Sequence, residues 1–174
     1  VIIENAFGYL PEILTGSNYK AQEYEGGIVT AVALAVLQEL NARNVPNPLS
    51  NICVEKLYSQ EGFDRGADSS KKRYLRADMY VDLAHMRVGS SGLAKFGWRY
   101  KNWIEAKFFR KDALPSTIAC AHIAADLIRL CSLVPPESQV RKQKKSSALS
   151  SDILRWEDLC TGRYFVHIYD SDPE

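Results

Sequence analysis

The sequence predicts a single α/β domain in which helices flank a central mixed sheet, in the order helix, strand, strand, strand, helix, strand. Two long segments carry apolar residues at helical spacing. Four shorter segments are rich in apolar residues and alternate, in part, between apolar and polar positions, which is typical of strands. The 174 residues, 46% of them hydrophobic, can bury one sizeable core, so we expect one domain over residues 1–174.

The first predicted helix covers about residues 24–42. Apolar residues recur there at intervals of three and four positions and would form one buried face; they are Ile28, Val29, Val32, Val36 and Leu40. Pro46 and Pro48 follow, and proline cannot continue a helix because it lacks an amide hydrogen. We therefore expect an amphipathic helix that packs on the sheet and ends before these prolines.

The first two predicted strands cover residues 51–58 and 73–83, with a long polar turn between them. The second strand alternates cleanly, so its side chains would divide between the two faces of the sheet. Its apolar face would carry Leu75, Ala77, Met79, Val81 and Leu83. Its polar face would carry Arg76, Asp78, Tyr80 and Asp82.

The third predicted strand covers residues 103–110. One of its faces would carry Trp103, Glu105, Lys107 and Phe109, and the other would carry Ile104, Ala106 and Phe108. Large apolar residues bracket the two charged ones, a setting in which functional charges are expected more than solvated ones. Together the three strands could form an antiparallel meander.

A second long helix is predicted to begin at residues 115–117 and to end before Pro135 and Pro136, and a short helix over 151–160 and a final strand over 164–169 follow it. The apolar stripe of the long helix would consist of Ile118, Ala121, Ala125, Ile128 and Cys131. The crossing helix would deliver the last strand beside the meander, which makes the sheet mixed.

Composition restricts the class of protein without identifying it. The 22 basic residues nearly balance the 21 acidic ones, so no overall field favours nucleic acid or a membrane, and any site for a polyanion must be local. No run of about 18 apolar residues and no signal-peptide pattern is present, so we expect a cytoplasmic protein without a membrane partner. The cysteines lack zinc-cluster spacing and are expected to be reduced and mostly buried; they are Cys53, Cys120, Cys131 and Cys160.

Asp78, Glu105 and Lys107 form the predicted catalytic group. The two acids would lie on polar faces of neighbouring strands, and Lys107 shares the face of Glu105 because it is two residues further along. Two such carboxylates can hold Mg²⁺ or Mn²⁺ through oxygen, with the Ala106 carbonyl as a further ligand. The metal would polarise a phosphoryl group and lower the pKa of a bound water, while Lys107 orients or activates that water.

The segments Arg76-Ala77-Asp78 and Ile104-Glu105-Ala106-Lys107 resemble the signature of the PD-(D/E)XK, or restriction-endonuclease-like, nuclease superfamily. The element order is also similar to the core of that superfamily, over about residues 24–169. The resemblance implies a restriction-endonuclease-like core with the order α-β-β-β-α-β, and magnesium-dependent hydrolysis of phosphodiester bonds.

The resemblance also implies a glutamate on the first helix, and this chain departs from the family pattern in two respects. Glu25 fits the helix position because Val29, Val32 and Val36 continue its face, and Glu23 is the alternative. No proline precedes Asp78, and the separation of Asp78 from Glu105 is long for a simple hairpin. Asp82, on the same polar face, is therefore kept as an alternative ligand.

The resemblance implies a DNA endonuclease with a restriction, defence or DNA-processing role, in which two copies or a larger complex would cut both strands. Two alternatives stay open. The chain could be an RNase or a tRNA-cleaving toxin domain that uses the same residues. It could also be a catalytically inactive nucleic-acid-binding or assembly module, in which Glu105 and Lys107 form an ion pair.

Basic residues, some interleaved with aromatic ones, are the candidates for contact with nucleic acid. Lysine and arginine bind phosphates, and aromatic rings can stack on bases. The candidates are Lys71, Lys72, Arg73, Arg76, Lys95, Trp98, Arg99, Lys101, Arg141, Lys142, Lys144 and Lys145.

Overall fold

The structure is a computed structural model that describes residues 2–16, 25–58, 76–83, 101–110, 117–131 and 161–170. Its helices are α1 (Ile2–Phe7), α2 (Leu10–Thr15), α3 (Glu25–Ala42) and α4 (Thr117–Cys131), with a 3-10 helix at Pro48–Asn51. Its strands are β1 (Ile52–Leu57), β2 (Arg76–Asp82), β3 (Lys101–Arg110) and β4 (Thr161–Asp170). The short helix predicted over 151–160 lies outside these ranges. None of the helices in these ranges is long and apolar enough to cross a membrane.

The four strands form one mixed sheet in the order β1-β2-β3-β4. The first three make an antiparallel meander, and β4 pairs in parallel with β3 from Lys101↔Thr161 to Arg110↔Asp170. Helix α4 lies between β3 and β4 in the chain, as a parallel pair requires a crossover connection. The predicted mixed sheet with helices is therefore confirmed.

The large core lies between helices α1 to α3 and one face of the sheet. The five apolar residues predicted for the buried face of α3 are all buried in it. The sheet contributes Met79, Val81, Ile104 and Ala106. Helices α1 and α2, for which the sequence analysis predicted no element, add Ile2, Ile3, Ala6 and Leu10. The alternation of β2 and β3 therefore identified the apolar face that α3 covers.

Helix α3 ends before Pro46 and Pro48, as predicted, and its last turn forms a Schellman motif. Asn44 adopts a left-handed conformation, with a φ of 55°. Its amide donates to the carbonyl of Asn41 at 2.9 Å, and the amide of Val45 donates to the carbonyl of Leu40 at 3.0 Å. These two bonds satisfy carbonyls that the end of a helix leaves without partners.

A smaller core lies on the opposite face of the sheet, under helix α4. We call it the small core, and it consists of Tyr58, Ala77, Tyr80, Trp103, Leu130 and the partly buried Phe165. The Trp103 ring is fully buried and lies with its centroid 4.5 Å from that of Tyr80 and 5.0 Å from that of Tyr58. Glu105 and Lys107 project from the same face as Trp103, so the predicted catalytic group shares this layer.

The predicted apolar stripe of α4 is wrong, because most of it faces outward. Ala121, Ala125 and Cys131 are exposed, and Ile128 is 66% exposed. Among the residues of α4 whose side chains the structure describes, Leu130 and Asp126 are buried, and the side chain of Ile118 lies outside that description. The helix turns its two charged residues, Asp126 and Arg129, toward partners on β3, and this orientation leaves the apolar stripe on the outer surface.

The prediction that the cysteines are mostly buried is also wrong for the three that the structure describes. Cys53, Cys120 and Cys131 are all exposed. Cys53 lies on β1, which is an edge strand, and the other two lie on the outer surface of α4. Cys160 lies outside the described residues.

Candidate active site

Asp78 lies where the regular pairing of β2 is interrupted on both sides. The β2–β3 register runs from Asp82↔Lys101 to Met79↔Ile104, and the next step would pair Asp78 with Glu105. On the other side, the β1–β2 register omits Glu55 and Asp78, and Glu55 has a φ of 53°, which is unusual for a residue other than glycine. The alternation of side chains between the two faces of β2 is broken here. Ala77 packs in the small core, although regular alternation would place it with Met79 in the large core.

The carboxylate of Asp78 takes the place of a main-chain acceptor. Its Oδ2 atom accepts a hydrogen bond of 2.7 Å from the amide of Ala106. A carboxylate bonded to a main-chain amide is held in one position, since the strand itself fixes the donor. Asp78 is therefore fixed beside the segment Glu105-Ala106-Lys107 on the neighbouring strand, where its position in the sequence predicted it.

Glu105 is a buried acid at the centre of β3. It is 2% exposed, and its Oε1 atom accepts a hydrogen bond of 2.5 Å from the Tyr58 hydroxyl. The same oxygen lies 3.4 Å from Nη1 of Arg129. Burial and the Glu105 charge raise the pKa of Tyr58, so Tyr58 stays protonated and donates.

Burial and the neighbouring Asp78 carboxylate raise the pKa of Glu105 to about 7. The Tyr58 hydroxyl and the Arg129 guanidinium oppose this shift but do not cancel it. The negative charge shared by Asp78 and Glu105 is therefore incompletely compensated. A bound cation would relieve this imbalance, because opposite charge favours the ionised form of a carboxyl.

Lys107 is tied to helix α4 through Asp126. Its Nζ atom lies 3.4 Å from Oδ2 of Asp126, and the Lys107 side chain is 20% exposed. Asp126 also pairs with Nη2 of Arg129, one turn later on the same helix. The site is thus a connected set of charges in which Asp126 holds both basic groups.

Three members of this site were not predicted from the sequence: Tyr58, Asp126 and Arg129. The signal for two of them was present, since Asp126 and Arg129 are the only Asp, Glu, Lys or Arg residues in α4. Charges three residues apart in an otherwise apolar helix lie on one face and indicate a buried partner. Tyr58 carried no comparable signal, because its contact with Glu105 spans 47 residues of chain.

The structure brings together Asp78, Glu105, Ala106 and Lys107 from the predicted group. The register places Asp78, and not the alternative Asp82, opposite Glu105; Asp82 pairs with Lys101, about 13 Å further along the strand at ordinary strand rise. Use of the Ala106 carbonyl as a metal ligand stays a prediction.

The predicted helix glutamate is not among the residues that the structure brings together. The backbone of Glu25 begins α3, which covers the face of the sheet opposite to Glu105. The side chain of Glu25 and the whole of Glu23 lie outside the description, so their roles stay predictions.

Two of the predicted nucleic-acid-binding residues are described. Arg76 is exposed and pairs with Glu55 at 2.6 Å, and Lys101 begins β3. The other ten lie outside the described residues and stay predictions: Lys71, Lys72, Arg73, Lys95, Trp98, Arg99, Arg141, Lys142, Lys144 and Lys145.

The donors of the site fit Mg²⁺ or Mn²⁺ in kind. The two carboxylates are hard oxygen donors, and their incompletely compensated charge suits a small divalent cation. Within the part of the chain that the structure describes, no group of three or more His, Cys, Asp or Glu residues is placed to hold a metal. Asp78 and Glu105 would therefore supply two ligands, and water and substrate oxygens would complete the shell.

The stability of the folded chain is expected to fall as pH rises from about 5 to about 8, relative to that of Glu105→Gln. The unfolded chain loses the Glu105 proton near pH 4.5, whereas the folded chain retains it until about pH 7. The stabilising contribution is therefore fully present below pH 4.5 and is lost as pH passes 7, with a size on the order of 3 kcal/mol. Urea denaturation of both proteins across this range measures it. A stability difference that does not vary with pH would contradict the prediction.

Comparisons of the chain with protein-family models, with curated proteins and with solved structures found no match. The order helix, strand, strand, strand, helix, strand is present from α3 to β4. The resemblance to restriction-endonuclease-like nucleases rests on this order and on Asp78, Glu105 and Lys107, and membership of that superfamily stays a prediction.

Proposed function

We propose that this protein is a nuclease that hydrolyses phosphodiester bonds with Mg²⁺ or Mn²⁺. The observation that carries the proposal is the pair of adjacent carboxylates, Asp78 and Glu105, on neighbouring strands. The Ala106 amide holds the first, and the second is buried with a pKa of about 7. Two carboxylates this close, whose negative charge is not fully compensated, repel each other. A bound divalent cation would remove that repulsion.

The groups of the chain have distinct roles in the proposed reaction. Asp78 and Glu105 would hold the metal, which supplies Lewis-acid polarisation of the phosphoryl group and a water of lowered pKa. Tyr58 positions Glu105 by donating to Oε1, and thereby keeps the carboxylate on the face that it shares with Lys107. These groups lie on strands or next to one, which orients them before substrate arrives.

Lys107 would position the attacking water. It follows Glu105 by two residues, so the two side chains leave the strand about 7 Å apart on one face. Its contact with Asp126 limits the range of positions that the ammonium can occupy. A water between Lys107 and the carboxylates could donate to the acids and accept from the ammonium, which aligns it for attack on phosphorus.

DNA is the proposed substrate, from the frequency of DNA hydrolysis among the nucleases that the chain resembles. RNA, including tRNA, would use the same residues with a different binding surface. A second copy of the chain or a partner subunit would be required for efficient cleavage of both strands of a duplex.

The test is cleavage of supercoiled plasmid and total tRNA by purified protein, with Mg²⁺ or with EDTA. Cutting that requires Mg²⁺ and is lost in both Asp78→Ala and Lys107→Ala is the expected result. Asp82→Asn is tested beside them. Loss of cutting in Asp82→Asn but not in Asp78→Ala would show that Asp82, and not Asp78, is the metal ligand. Absence of cutting, or cutting that survives both alanine substitutions, would refute the site.

A non-catalytic module is the second candidate function, and one observation favours it. Glu105 is 2% exposed and already pairs with Tyr58 and Arg129, so the charges could serve only to join α4 to the sheet. Replacement of one member of a buried pair would then reduce stability by about 3–5 kcal/mol and leave binding unchanged by Mg²⁺. The plasmid and tRNA assays with EDTA separate the two candidates.

A further inference from the structure

Arg129 lies where the proposed metal would compensate charge. Its guanidinium reaches from α4 to Oε1 of Glu105 at 3.4 Å, on the face of the sheet that carries the carboxylates. Lys107 pairs with Asp126. Arg129 is therefore a basic group in direct contact with the acid that the proposed function assigns to the metal.

The two ion pairs of Arg129 differ in character. The pair with Asp126 joins residues three apart on one helix, so it does not require contact of Arg129 with β3. The pair with Glu105 joins two different elements, and its 3.4 Å separation exceeds the 2.7–2.9 Å that is common for charge-assisted hydrogen bonds. Arg129 thus lies closer to Asp126 than to Glu105.

A divalent cation and Arg129 would compete for Glu105. Oε1 of Glu105 already accepts from Tyr58, so a guanidinium on the same oxygen uses much of its capacity to bind a cation. A cation bound between Asp78 and Glu105 would also repel the guanidinium. Because Asp126 retains Arg129, release from Glu105 requires a small movement of the side chain and no loss of its second partner.

We propose that Arg129 is a tethered counter-ion, which pairs with Glu105 while no divalent cation is bound and which the cation must displace. The inference rests on the proposed function, because it assigns the regulation of the same metal site. Its consequence is a lower affinity for the metal: Arg129 partly compensates the carboxylate charge at low metal concentration, and the site binds the cation only when the concentration rises.

Binding of Mn²⁺, measured from the electron paramagnetic resonance signal of the free ion, tests this inference without any assay of cleavage. Removal of the charge in Arg129→Gln is expected to tighten Mn²⁺ binding by about tenfold, because a positive charge that competes for Glu105 and repels the cation is lost. Arg43→Gln is the matched control, because Arg43 pairs with Glu39 on α3, in the other layer. Its Mn²⁺ affinity is expected to equal that of the unmodified protein.

Two further variants keep the test decisive. Arg129→Met removes the charge but fills similar space, and it replaces Arg129→Gln if circular dichroism shows that the glutamine variant is unfolded. Arg129→Lys keeps the charge and is expected to bind Mn²⁺ within about threefold of the unmodified protein, since a point charge at this position still competes.

The outcomes separate this inference from the proposed function. Tighter binding in the charge-removing variants alone supports the tethered counter-ion. Equal or weaker binding in those variants, with clear binding by the unmodified protein, overturns the inference and leaves the metal-dependent nuclease intact. No binding by any of the proteins overturns both, and the plasmid assay would then show no dependence on Mg²⁺.

Discussion

Replacement of Glu105 by glutamine is expected to reduce Mg²⁺-dependent cleavage by about a thousandfold. Glutamine keeps the size of the side chain and can still accept from Tyr58, but it lacks the charge that would hold the cation beside Asp78. Lewis-acid stabilisation by a metal is worth several kcal/mol, and each 1.4 kcal/mol corresponds to about a factor of ten in rate. The measurement is the initial rate of plasmid cleavage at saturating Mg²⁺, with Mn²⁺ binding measured in parallel.

Stability distinguishes this loss from simple unfolding. At pH 8 the Glu105→Gln protein is expected to be at least as stable as the unmodified one. Glu105 at that pH carries a buried negative charge next to Asp78, whereas glutamine is neutral. Glu12→Gln, an exposed acid on α2, is the matched control and should retain full activity. A glutamine variant that folds, binds Mn²⁺ normally and cleaves at the normal rate would refute the metal site.

Trp103→Ala is expected to reduce the free energy of unfolding by about 3–5 kcal/mol. Trp103 is fully buried and contacts the rings of Tyr58 and Tyr80 in the small core, so removal of its indole leaves a cavity between β3 and α4. A loss of this size is a large fraction of the stability of an ordinary domain. Guanidinium denaturation, followed by circular dichroism, measures it.

Two comparisons identify the cause of this loss. Trp103→Phe keeps a ring in contact with both tyrosines and should lose about half as much or less. Leu34→Ala, at a position that is 44% exposed on α3, should lose about 1 kcal/mol or less, because little apolar surface leaves the protein interior. Equal losses at Trp103 and Leu34 would show that the packing of Trp103 in the small core contributes little to stability.

The small core and the charged site form one layer, and this has a consequence for function. Trp103 packs against Tyr58, which donates to Glu105, so a change in packing would alter the position of the carboxylate. Residues far from the reacting atoms would therefore influence metal affinity. In the non-catalytic alternative the same coupling would affect stability alone, and the comparison of Mn²⁺ binding with denaturation separates the two.

Strict alternation explains why the faces of β2 and β3 could be predicted. Met79 and Val81 lie in the large core with Ile104 and Ala106, as a period of two requires. Ala77 departs from the pattern because the ladder is interrupted at Asp78. That interruption depends on Glu55, which is 23 residues away in the chain, so a local pattern could not predict it.

Helix α4 illustrates the opposite case. Its apolar residues were predicted to face the sheet, but Ile128 is 66% exposed, while the charged Asp126 is buried. Pairing of Arg129 with Glu105 and of Lys107 with Asp126 determined which face turns inward, because an unpaired buried charge is more unfavourable than an exposed apolar side chain. The hydrophobic period alone carries no information about such partners.

Local patterns in the sequence predicted the order of the described elements from α3 to β4, the buried faces of α3 and β3, and the polar positions of Asp78, Glu105 and Lys107 on neighbouring strands. These features depend on local periodicity, which the chain encodes within each segment. The folded arrangement was needed to show that the Ala106 amide holds Asp78, that Tyr58 and Arg129 meet on one oxygen of Glu105, and that Asp126 pairs with Lys107 as well as with Arg129. Most of these contacts join segments that are distant in the chain, so their charges are stabilised only when all the partners are folded into one layer.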